Sequence, residues 1–423
     1  EKIFTMMSLF YPTTCPVFAV EWIGESEDHL FHAGGGGSAR TGVKNSLFLS
    51  VIGSEVPPSI TEVSAFETGS QICTSAHADK PRGSCQLIAG GLGDALVIFG
   101  IAPSLEIIPL SGSIIAAKDE ATNNGDLDVK IVAFDRSRGS IVATGDGAGV
   151  IRLFKLENVG DVISALSTRT NKEDNGSFSK TLKVSKAVKK LVGHTGAITN
   201  LQFDKIGKRL CSSSKDGTCR LWDVSTASEM CVLPATSGLP PVFSKDKKEL
   251  KQMCRSCMFS PIDDRVIFTL QNAARGSSYA TRWFVTEAAD SRMEGSGGAA
   301  ASCEPQRVVL ISSSPVPCMA VSFDGLRLVA GDTQGTVFVL DATSLRKLYS
   351  YEGHQLPVSC LSLACPNAES NMQYDIISGS GDKTLILGSS RSRSRPFFFS
   401  FYLLAVALVL LAVAVLLFRH FAL

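Results

Sequence analysis

A run of glycines near the start of the chain is the set of residues whose spacing most suggests chemistry. Gly34, Gly35, Gly36 and Gly37 are consecutive, and Gly42 follows five residues later, in the stretch HAGGGGSARTGVKN. Ordering a glycine costs more backbone entropy than ordering any other residue, so five in nine positions exceed what a simple turn requires. Glycines allow several carbonyl oxygens to face one point, as in potassium filters. The stretch therefore predicts a loop that a large monovalent cation stabilises.

Phosphate binding is a weaker interpretation of the same glycines. Gly37 and Gly42 have the spacing of a GxxxxGK[ST] loop, but Val43 stands where the lysine belongs and Lys44 comes one residue late. The following residues 45–51, NSLFLSV, have the pattern of a strand, so the helix N-terminus that phosphate binding requires is missing. A relaxed dinucleotide fingerprint on these glycines lacks the helix as well. A third interpretation stays open, in which the stretch is a flexible hairpin between two strands.

A repeated pattern predicts the elements that position this loop. Residues 191–224, LVGHTGAITNLQFDKIGKRLCSSSKDGTCRLWDV, alternate as short strands separated by turns. The segment resembles a WD repeat, which is one four-stranded blade of a β-propeller. In such a blade His194, a serine among residues 212–214, Asp216 and Trp222 are expected to form a hydrogen-bonded chain. These residues are therefore predicted to be structural and not catalytic.

Weaker copies of this pattern occur along the whole chain. The seven units contain, in chain order, CPVFAVEW, GSCQLIAG, VKIVAFD, LVGHTGAI, RSCMFSP, CMAVSFD and YEGHQLPV. Seven four-stranded blades close a ring and remove exposed sheet edges, and we expect both chain ends to share a blade. The prediction is an all-β, seven-bladed WD-repeat β-propeller over residues 1–388. The polar residues 158–190 are predicted to be a surface insertion between blades.

The C-terminal residues predict a membrane anchor. Residues 396–418, PFFFSFYLLAVALVLLAVAVLLF, carry no charge, and as a helix the last 22 of them would be about 33 Å long, enough for a bilayer core. A basic tether with three arginines, residues 389–395, precedes this segment, and a short tail, residues 419–423, follows it. The more basic flank stays in the cytosol. We therefore expect a single transmembrane helix, a cytosolic propeller and a short luminal tail.

Composition argues against several other classes of function. The formal net charge is +1, from 41 basic and 40 acidic residues, so no charge excess indicates nucleic-acid binding. Cys254 and Cys257 form a CxxC pair without a second pair nearby, which is a weak zinc signal. We expect the twelve cysteines to be small buried thiols in a reducing compartment. No paired carboxylates, Cys/His dyad or Ser/His/Asp set indicates an enzyme.

The glycine loop also carries a resemblance to a known family. The string GGGG-x4-G-[IV]-x-N, in the first blade of a propeller with a C-terminal apolar span, resembles the Sec-twelve family, whose animal members are the prolactin regulatory element-binding proteins. The resemblance covers the whole chain and rests mainly on the loop. It implies a guanine-nucleotide exchange factor of the endoplasmic reticulum membrane. Its partner would be the Sar-type small GTPase that starts COPII coat assembly and transport from the endoplasmic reticulum to the Golgi.

The resemblance implies a role for each residue of the loop. Gly34–Gly37 and Gly42 would hold structural K⁺ with their carbonyl oxygens, Asn45 would enter the nucleotide site of the GTPase, and Val43 and Lys44 would contact the partner. The implied partners are the GDP-bound Sar-type GTPase and the endoplasmic reticulum membrane, with no nucleic acid and no covalent chemistry. The alternative is a membrane-anchored WD-repeat scaffold without exchange activity, since propellers commonly bind proteins.

Overall fold

Strands account for nearly all regular structure, as the alternating Val, Ile, Leu and Phe patterns predict. The computed structural model of the chain describes residues 8–24, 28–37, 42–55, 57–115, 128–137, 139–170, 178–243, 246–286, 301–364 and 374–390. The propeller is a compact unit that ends at Ser390, and a second unit follows from Arg391.

The first half of the chain forms the closing strand and blades 1 to 3. The closing strand is β1 (Ser8–Pro12). Blade 1 contains β2 (Val17–Ile23), β3 (His29–Gly34), β4 (Asn45–Ile52) and β5 (Ile60–Gly69). Blade 2 contains β6 (Cys73–Ala78), β7 (Gln86–Leu92), β8 (Ala95–Ile101), β9 (Ile107–Pro109) and β10 (Ile114–Ile115). Blade 3 contains β11 (Val129–Phe134), β12 (Ile141–Asp146), β13 (Ile151–Glu157), helix α1 (Val159–Ser167), β14 (Lys183–Val184) and β15 (Lys189–Leu191).

The second half forms blades 4 to 7. Blade 4 contains β16 (Ile198–Phe203), β17 (Arg209–Ser214), β18 (Cys219–Asp223) and β19 (Ser228–Leu233), and a small ribbon of β20 (Val242–Phe243) and β21 (Glu249–Leu250) follows. Blade 5 contains β22 (Gln252–Phe259), β23 (Val266–Ala273), β24 (Ser278–Thr286) and β25 (Ser302–Ser312). Blade 6 contains β26 (Cys318–Val321), β27 (Arg327–Gly331), β28 (Thr336–Asp341) and β29 (Lys347–Glu352). Blade 7 contains β30 (Val358–Leu363), β31 (Ile376–Ser380), β32 (Thr384–Gly388) and the closing strand.

The ring is closed by pairing between the two ends of the propeller. Strand β1 pairs antiparallel with β32, with Ser8 opposite Gly388 and Pro12 opposite Thr384. The inner strands of neighbouring blades pack against one another around the ring, including β2 of blade 1 against β30 of blade 7. The predicted seven-bladed propeller with a blade shared by both chain ends is therefore confirmed.

Strand direction divides the propeller into two faces. With the strands of each blade named a to d from the inside outward, the a–b and c–d loops lie on one face, which we call the a–b face. The b–c loops and the connections between blades lie on the other, the b–c face. Contacts between blades agree with this assignment. Arg209 forms an ion pair with Asp264 of the next a–b loop at 2.8 Å. On the opposite face the His354 amide donates to the carbonyl oxygen of Gly335 at 3.4 Å.

The predicted insertion lies within a blade and not between two blades. Residues 158–190 leave β13 and return to pair with it, because both β14 and β15 are its antiparallel neighbours. Helix α1 carries Val162 and Leu166 one turn apart, and both are fully buried in a core cluster that also contains Leu110 of blade 2. The described part of the insertion therefore extends the core, while residues 171–177 lie outside the described residues.

One pair of cysteines departs from the expectation of reduced thiols. Cys231 on β19 and Cys303 on β25 form a disulfide between the outer strands of blades 4 and 5. The nine other cysteines among the described residues are free thiols, and all of them are buried or half-buried. The expectation of reduced thiols was wrong for Cys231 and Cys303. These two residues are 72 positions apart and come together only through the packing of adjacent blades.

No helix within the ten described segments is long and apolar enough to cross a membrane. The predicted transmembrane segment, residues 396–418, lies outside the described residues, as do residues 391–395 of the tether and the tail, residues 419–423.

A chain of four side chains joins the parts of blade 4. His194 Nδ1 lies 2.8 Å from Asp216 Oδ2, and His194 Nε2 lies 2.8 Å from the hydroxyl oxygen of Ser212. The indole N–H of Trp222 donates to the same hydroxyl oxygen at 2.8 Å. Burial raises the pKa of the Asp216 carboxyl, but hydrogen bonds from His194 and Thr218 outweigh it and hold that pKa below its usual value. The polar groups of these four side chains are all used in hydrogen bonds that hold the blade together, so their role is structural.

We predict that Ser212→Ala strongly destabilises the propeller. The substitution removes the partner of two buried nitrogens, those of His194 and Trp222, and each unsatisfied buried polar group costs about 1–3 kcal/mol. The free energy of unfolding should fall by at least about 2 kcal/mol in thermal or urea unfolding followed by circular dichroism. The exposed Ser237→Ala is the matched control, with an expected change within about 0.5 kcal/mol. Equal stability of the two variants would show that these four hydrogen-bonded side chains do not hold blade 4 together.

Candidate functional site in the first blade

The glycine run forms the b–c loop of blade 1. Strand β3 ends at Gly34 and β4 begins at Asn45, with Gly34 opposite Ser46 in the antiparallel register. Residues 38–41 of the loop lie outside the described residues. The strand directions place the loop on the b–c face, where the connection from β1 to β2 also lies.

The first two glycines are required by close packing. A Cβ atom on Gly34 would overlap the carbonyl oxygen of Pro16, which lies in the connection between β1 and β2. The Gly35 amide donates to that same carbonyl oxygen at 3.1 Å. Gly35 has a φ of 152°, and a Cβ there would overlap the side chain of Asn45. The base of the loop therefore has no room for larger residues.

The other glycines of the loop serve its turns. Gly37 and Gly42 have φ angles of 73° and 75°, in the left-handed region that residues with a Cβ rarely adopt. Apart from their sequence neighbours, no described residue has an atom within 4 Å of a Cβ built on either one, so packing against the described residues does not require glycine there. Gly36, directly before Gly37 in sequence, is half-buried.

Asn45 braces the loop from below. Its side chain is only 3% exposed. Its Oδ1 accepts from the Gly37 amide at 2.9 Å, and its Nδ2 donates to the carbonyl oxygens of Gly37 at 3.1 Å and Gly69 at 3.0 Å. Both amide hydrogens and the oxygen are thus used inside the blade. In this structure the side chain holds its own loop against the end of β5, and its entry into a partner stays a prediction.

Val43 and Lys44 form the accessible side of the loop next to this brace. Val43 is half-buried, and the Lys44 side chain is largely exposed and forms an ion pair with Glu67 of β5. An exposed ion pair of this kind contributes at most about 1 kcal/mol, so a partner can displace it at little cost. The structure thus brings Gly34–Gly37, Gly42 and the residues up to Asn45 together in one loop. The predicted structural set of His194, Asp216 and Trp222 lies in blade 4.

A buried histidine beneath the loop had no role in the sequence prediction. His32 of β3 is fully buried, and its ring stacks on Phe48 with 4.8 Å between ring centroids. Neither ring nitrogen has a hydrogen-bond partner among the described residues, and the nearest carboxylate oxygen, of Glu62, is 3.9 Å away. Burial lowers the pKa of His32 to about 4, so the ring is neutral at pH 7. His32 therefore acts as an apolar support within a strand that is buried at every position after His29.

The glycines of the loop can offer an ion only their backbone oxygens. No group of three or more His, Cys, Asp or Glu side chains in the described segments is arranged to hold a metal ion. Neutral carbonyl oxygens suit a monovalent cation better than a divalent one, because the divalent ion requires carboxylates to offset its charge. The carbonyl oxygen of Gly37 already accepts one hydrogen bond from Asn45 and keeps a second lone pair. The donor set is compatible with K⁺.

Comparison with known proteins identifies the repeats of this chain. Residues 185–223 and 345–387 match the family described as WD domain, G-beta repeat, so the chain contains WD repeats around blades 4 and 7. The pre-rRNA-processing protein crb3/ipi3 of Schizosaccharomyces pombe is 27% identical over 226 residues, which are 49% of this chain and 48% of that protein. The chain thus spans about half the length of this relative.

Solved structures share the propeller architecture. A chain of the mitotic checkpoint complex superposes with a TM-score of 0.59 at 12% identity, covering 93% of this chain and 96% of that one. A chain of a structure described as COPII on membranes, outer coat vertex, superposes with a TM-score of 0.63 at 12% identity, covering 92% of this chain and 87% of that one. At this identity the similarity shows the fold alone.

We predict that Asn45→Asp loosens the loop while the blade stays folded. The change is nearly isosteric, but it replaces the Nδ2 donor by a carboxylate oxygen facing the carbonyl oxygens of Gly37 and Gly69. Amide hydrogen exchange of residues 35–37 and 42–45 should become faster, and the free energy of unfolding should fall by about 1–3 kcal/mol. Lys44→Ala, which removes only an exposed ion pair, should leave both unchanged. Unaltered exchange in the Asn45 variant would contradict the bracing role.

Proposed function

We propose that this chain is a guanine-nucleotide exchange factor that activates the Sar-type small GTPase at the endoplasmic reticulum membrane. In this role it initiates COPII coat assembly and transport to the Golgi. One observation carries the proposal: the sequence GGGG-x4-G-V-K-N forms a loop on the b–c face of blade 1 whose base is braced by Asn45. The resemblance of this loop, and of the apolar C-terminal segment, to the Sec-twelve family supports the choice of partner.

The proposed reaction needs a loop that competes with bound nucleotide. Small GTPases hold their nucleotide through backbone contacts to the phosphates and a Mg²⁺ ion. An exchange factor accelerates release when it binds the nucleotide-free form more tightly, because by linkage each ligand then weakens the other to the same degree. A contact that excludes the Mg²⁺–nucleotide complex provides this difference in affinity. No proton is transferred and no covalent bond forms.

The hydrogen bonds and the exposure of the loop residues support a division of this work among them. Asn45 acts as a positioning residue, because its amide is engaged by Gly37 and Gly69. The contact with the GTPase is assigned to Val43 and Lys44, which lie directly before it on the accessible side. Because the loop is already braced, less of the contact energy is lost in ordering it on binding.

K⁺ is part of the proposal as a structural ion. The carbonyl oxygens of Gly34–Gly37 and Gly42 would hold it, and it would stiffen the part of the loop that Asn45 does not brace. The neutral donor set supports a monovalent ion.

The location in the membrane is proposed from the sequence of residues 396–418. Their uncharged 22-residue core and the preceding arginines favour a single-pass anchor with the propeller in the cytosol, where the GTPase is available. The net charge of +1 gives no support to a nucleic-acid partner.

The second candidate function is a membrane-anchored scaffold without exchange activity. The burial of Asn45 favours it, because the side chain expected to enter the GTPase is used within the blade. The two candidates differ in whether the loop changes the rate of nucleotide release.

We predict that Lys44→Glu and Val43→Asp each lower stimulated GDP release about tenfold, the equivalent of about 1.4 kcal/mol of lost contact. Release of a fluorescent GDP analogue from the Sar-type GTPase measures this. Lys215→Glu, an exposed lysine in the b–c loop of blade 4, is the matched control and should be fully active. If the unmodified chain gives no stimulation, the scaffold is the correct function. If both loop variants stimulate normally, the contact does not involve these residues.

We predict that K⁺ protects the glycine loop from amide exchange. Hydrogen exchange of residues 35–37 and 42–45 should be slower in KCl than in LiCl at equal ionic strength, because Li⁺ is too small for the carbonyl oxygens to enclose. Residues 332–335, the b–c loop of blade 6, serve as an internal control and should exchange equally in both salts. If the glycine loop exchanges at the same rate in KCl and in LiCl, the loop does not bind K⁺, whatever the result for GDP release.

A further inference from the structure

Three neighbouring a–b loops carry apolar side chains exposed to water. Ile206 in blade 4, Ile262 in blade 5, and Phe323 and Leu326 in blade 6 are between 49% and 68% exposed, and we call these four residues the apolar tips. The loops of blades 5 and 6 touch, since a Cβ on Gly325 would lie 2.8 Å from the Cγ1 of Ile262. Adjacent exposed apolar side chains of this kind mark a surface that contacts another phase or molecule.

The turns themselves do not need these side chains. In blade 4 the Asp204 carboxylate accepts from the Lys208 amide at 2.8 Å, which holds the turn around Ile206. In blade 6 the Asp324 carboxylate accepts from the Leu326 amide at 2.9 Å. Residues at such turn positions are usually polar, so the apolar tips have no role in local folding.

The chain leaves the propeller on this same face. Strand β32 is the third strand of blade 7 and runs toward the a–b face, and the two residues after it are held in place. Both the amide and the hydroxyl of Ser390 donate to Asp375, and the Tyr349 hydroxyl donates to the carbonyl oxygen of Ser389. The exit point is therefore fixed beside blade 6.

The sequence beyond the exit limits the distance to a bilayer. Residues 391–396 separate Ser390 from the 22-residue apolar segment, which begins at Phe397. At about 3.3–3.6 Å per extended residue, this connection reaches about 25 Å at most. If the apolar segment spans a membrane, Ser390 on the a–b face cannot lie farther than this from the lipid.

The charges around the apolar tips are compatible with anionic lipid headgroups. Lys205 and Lys208 are exposed beside Ile206. The acidic residues of the loops in blades 4 and 5 are engaged: Asp204 is buried against Arg209, and Asp263 and Asp264 form ion pairs with arginines. In blade 6 the exposed Asp324 accepts hydrogen bonds from the Ser322 hydroxyl and the Leu326 amide. Apolar residues flanked by free lysines are typical of surfaces that lie in a membrane interface.

We propose that the a–b face of blades 4 to 6 docks on the lipid bilayer, with the apolar tips among the headgroups. The glycine loop, on the b–c face, then points away from the membrane and is free for a partner. This inference rests on the membrane anchor in the proposed function and concerns a different surface from the glycine loop.

Tryptophan quenching in vesicles tests the docking. Phe323→Trp and Ile262→Trp place a reporter on the a–b face, and Leu356→Trp and Val192→Trp, at comparably exposed positions on the b–c face, are the matched controls. The full chain is reconstituted in vesicles of phosphatidylcholine and phosphatidylserine, with acyl chains either brominated or not. The three native tryptophans are buried, so the parent chain supplies the background. Emission from positions 323 and 262 should be lost in brominated vesicles, and emission from 356 and 192 should not.

Flotation of the same vesicles separates the outcomes. If the chain floats and positions 323 and 262 lose no more emission than the controls, docking is overturned while the anchor stands. If the chain does not float, anchor and docking are both overturned. A protein partner on this face would leave all four reporters unquenched in these protein-free vesicles, which also overturns docking. Each tryptophan variant must have the same melting temperature as the parent chain. If a variant on the a–b face melts at a lower temperature, Leu326→Trp is used in its place. GDP release, measured separately, reports the glycine loop.

Discussion

Backbone pairing between β1 and β32 is the constraint on which the rest of the propeller depends. A blade cannot bury its faces alone and is stabilised by its two neighbours. The pairing makes every blade a neighbour of two others and covers the edge of β32. This pairing also supports the candidate site, because it fixes the short connection from β1 to β2. Pro16 lies in this connection, and its carbonyl oxygen accepts a hydrogen bond from the Gly35 amide. The glycine loop is therefore attached to the segment that closes the ring.

The fold was largely predictable from sequence, because the pattern of short strands and turns recurs seven times and one blade has a complete His194, Asp216 and Trp222 set. The misplaced insertion has a clear reason: β14 and β15 are two and three residues long, too short for any periodicity to show. In blade 7, Gly388 stands at the position in the repeat that Trp222 occupies in blade 4. The space beside it is taken by the hydroxyl of Tyr351, which belongs to β29 of the preceding blade and aligns with Leu191 in the repeat.

The candidate site was predictable in its position but not in its details. The glycine pattern located the loop between two strands, and the structure agrees. The direction of the Asn45 amide depends on the carbonyl oxygen of Gly69, which belongs to a strand 24 residues later, so the local motif does not contain it. The same limit applies to the a–b face, where Ile206, Ile262 and Phe323 are brought together only by the order of the blades.

The closing strand also has a consequence for synthesis of the chain. Ser8 is made 380 residues before its partner Gly388. At about 5–20 residues per second, the N-terminal strand waits on the order of 20–80 s before a ribosome has produced β32. During that time five residues with both backbone edges unpaired are open to pairing with other chains. Pro12, which lacks an amide hydrogen, and the short length of this strand reduce that risk.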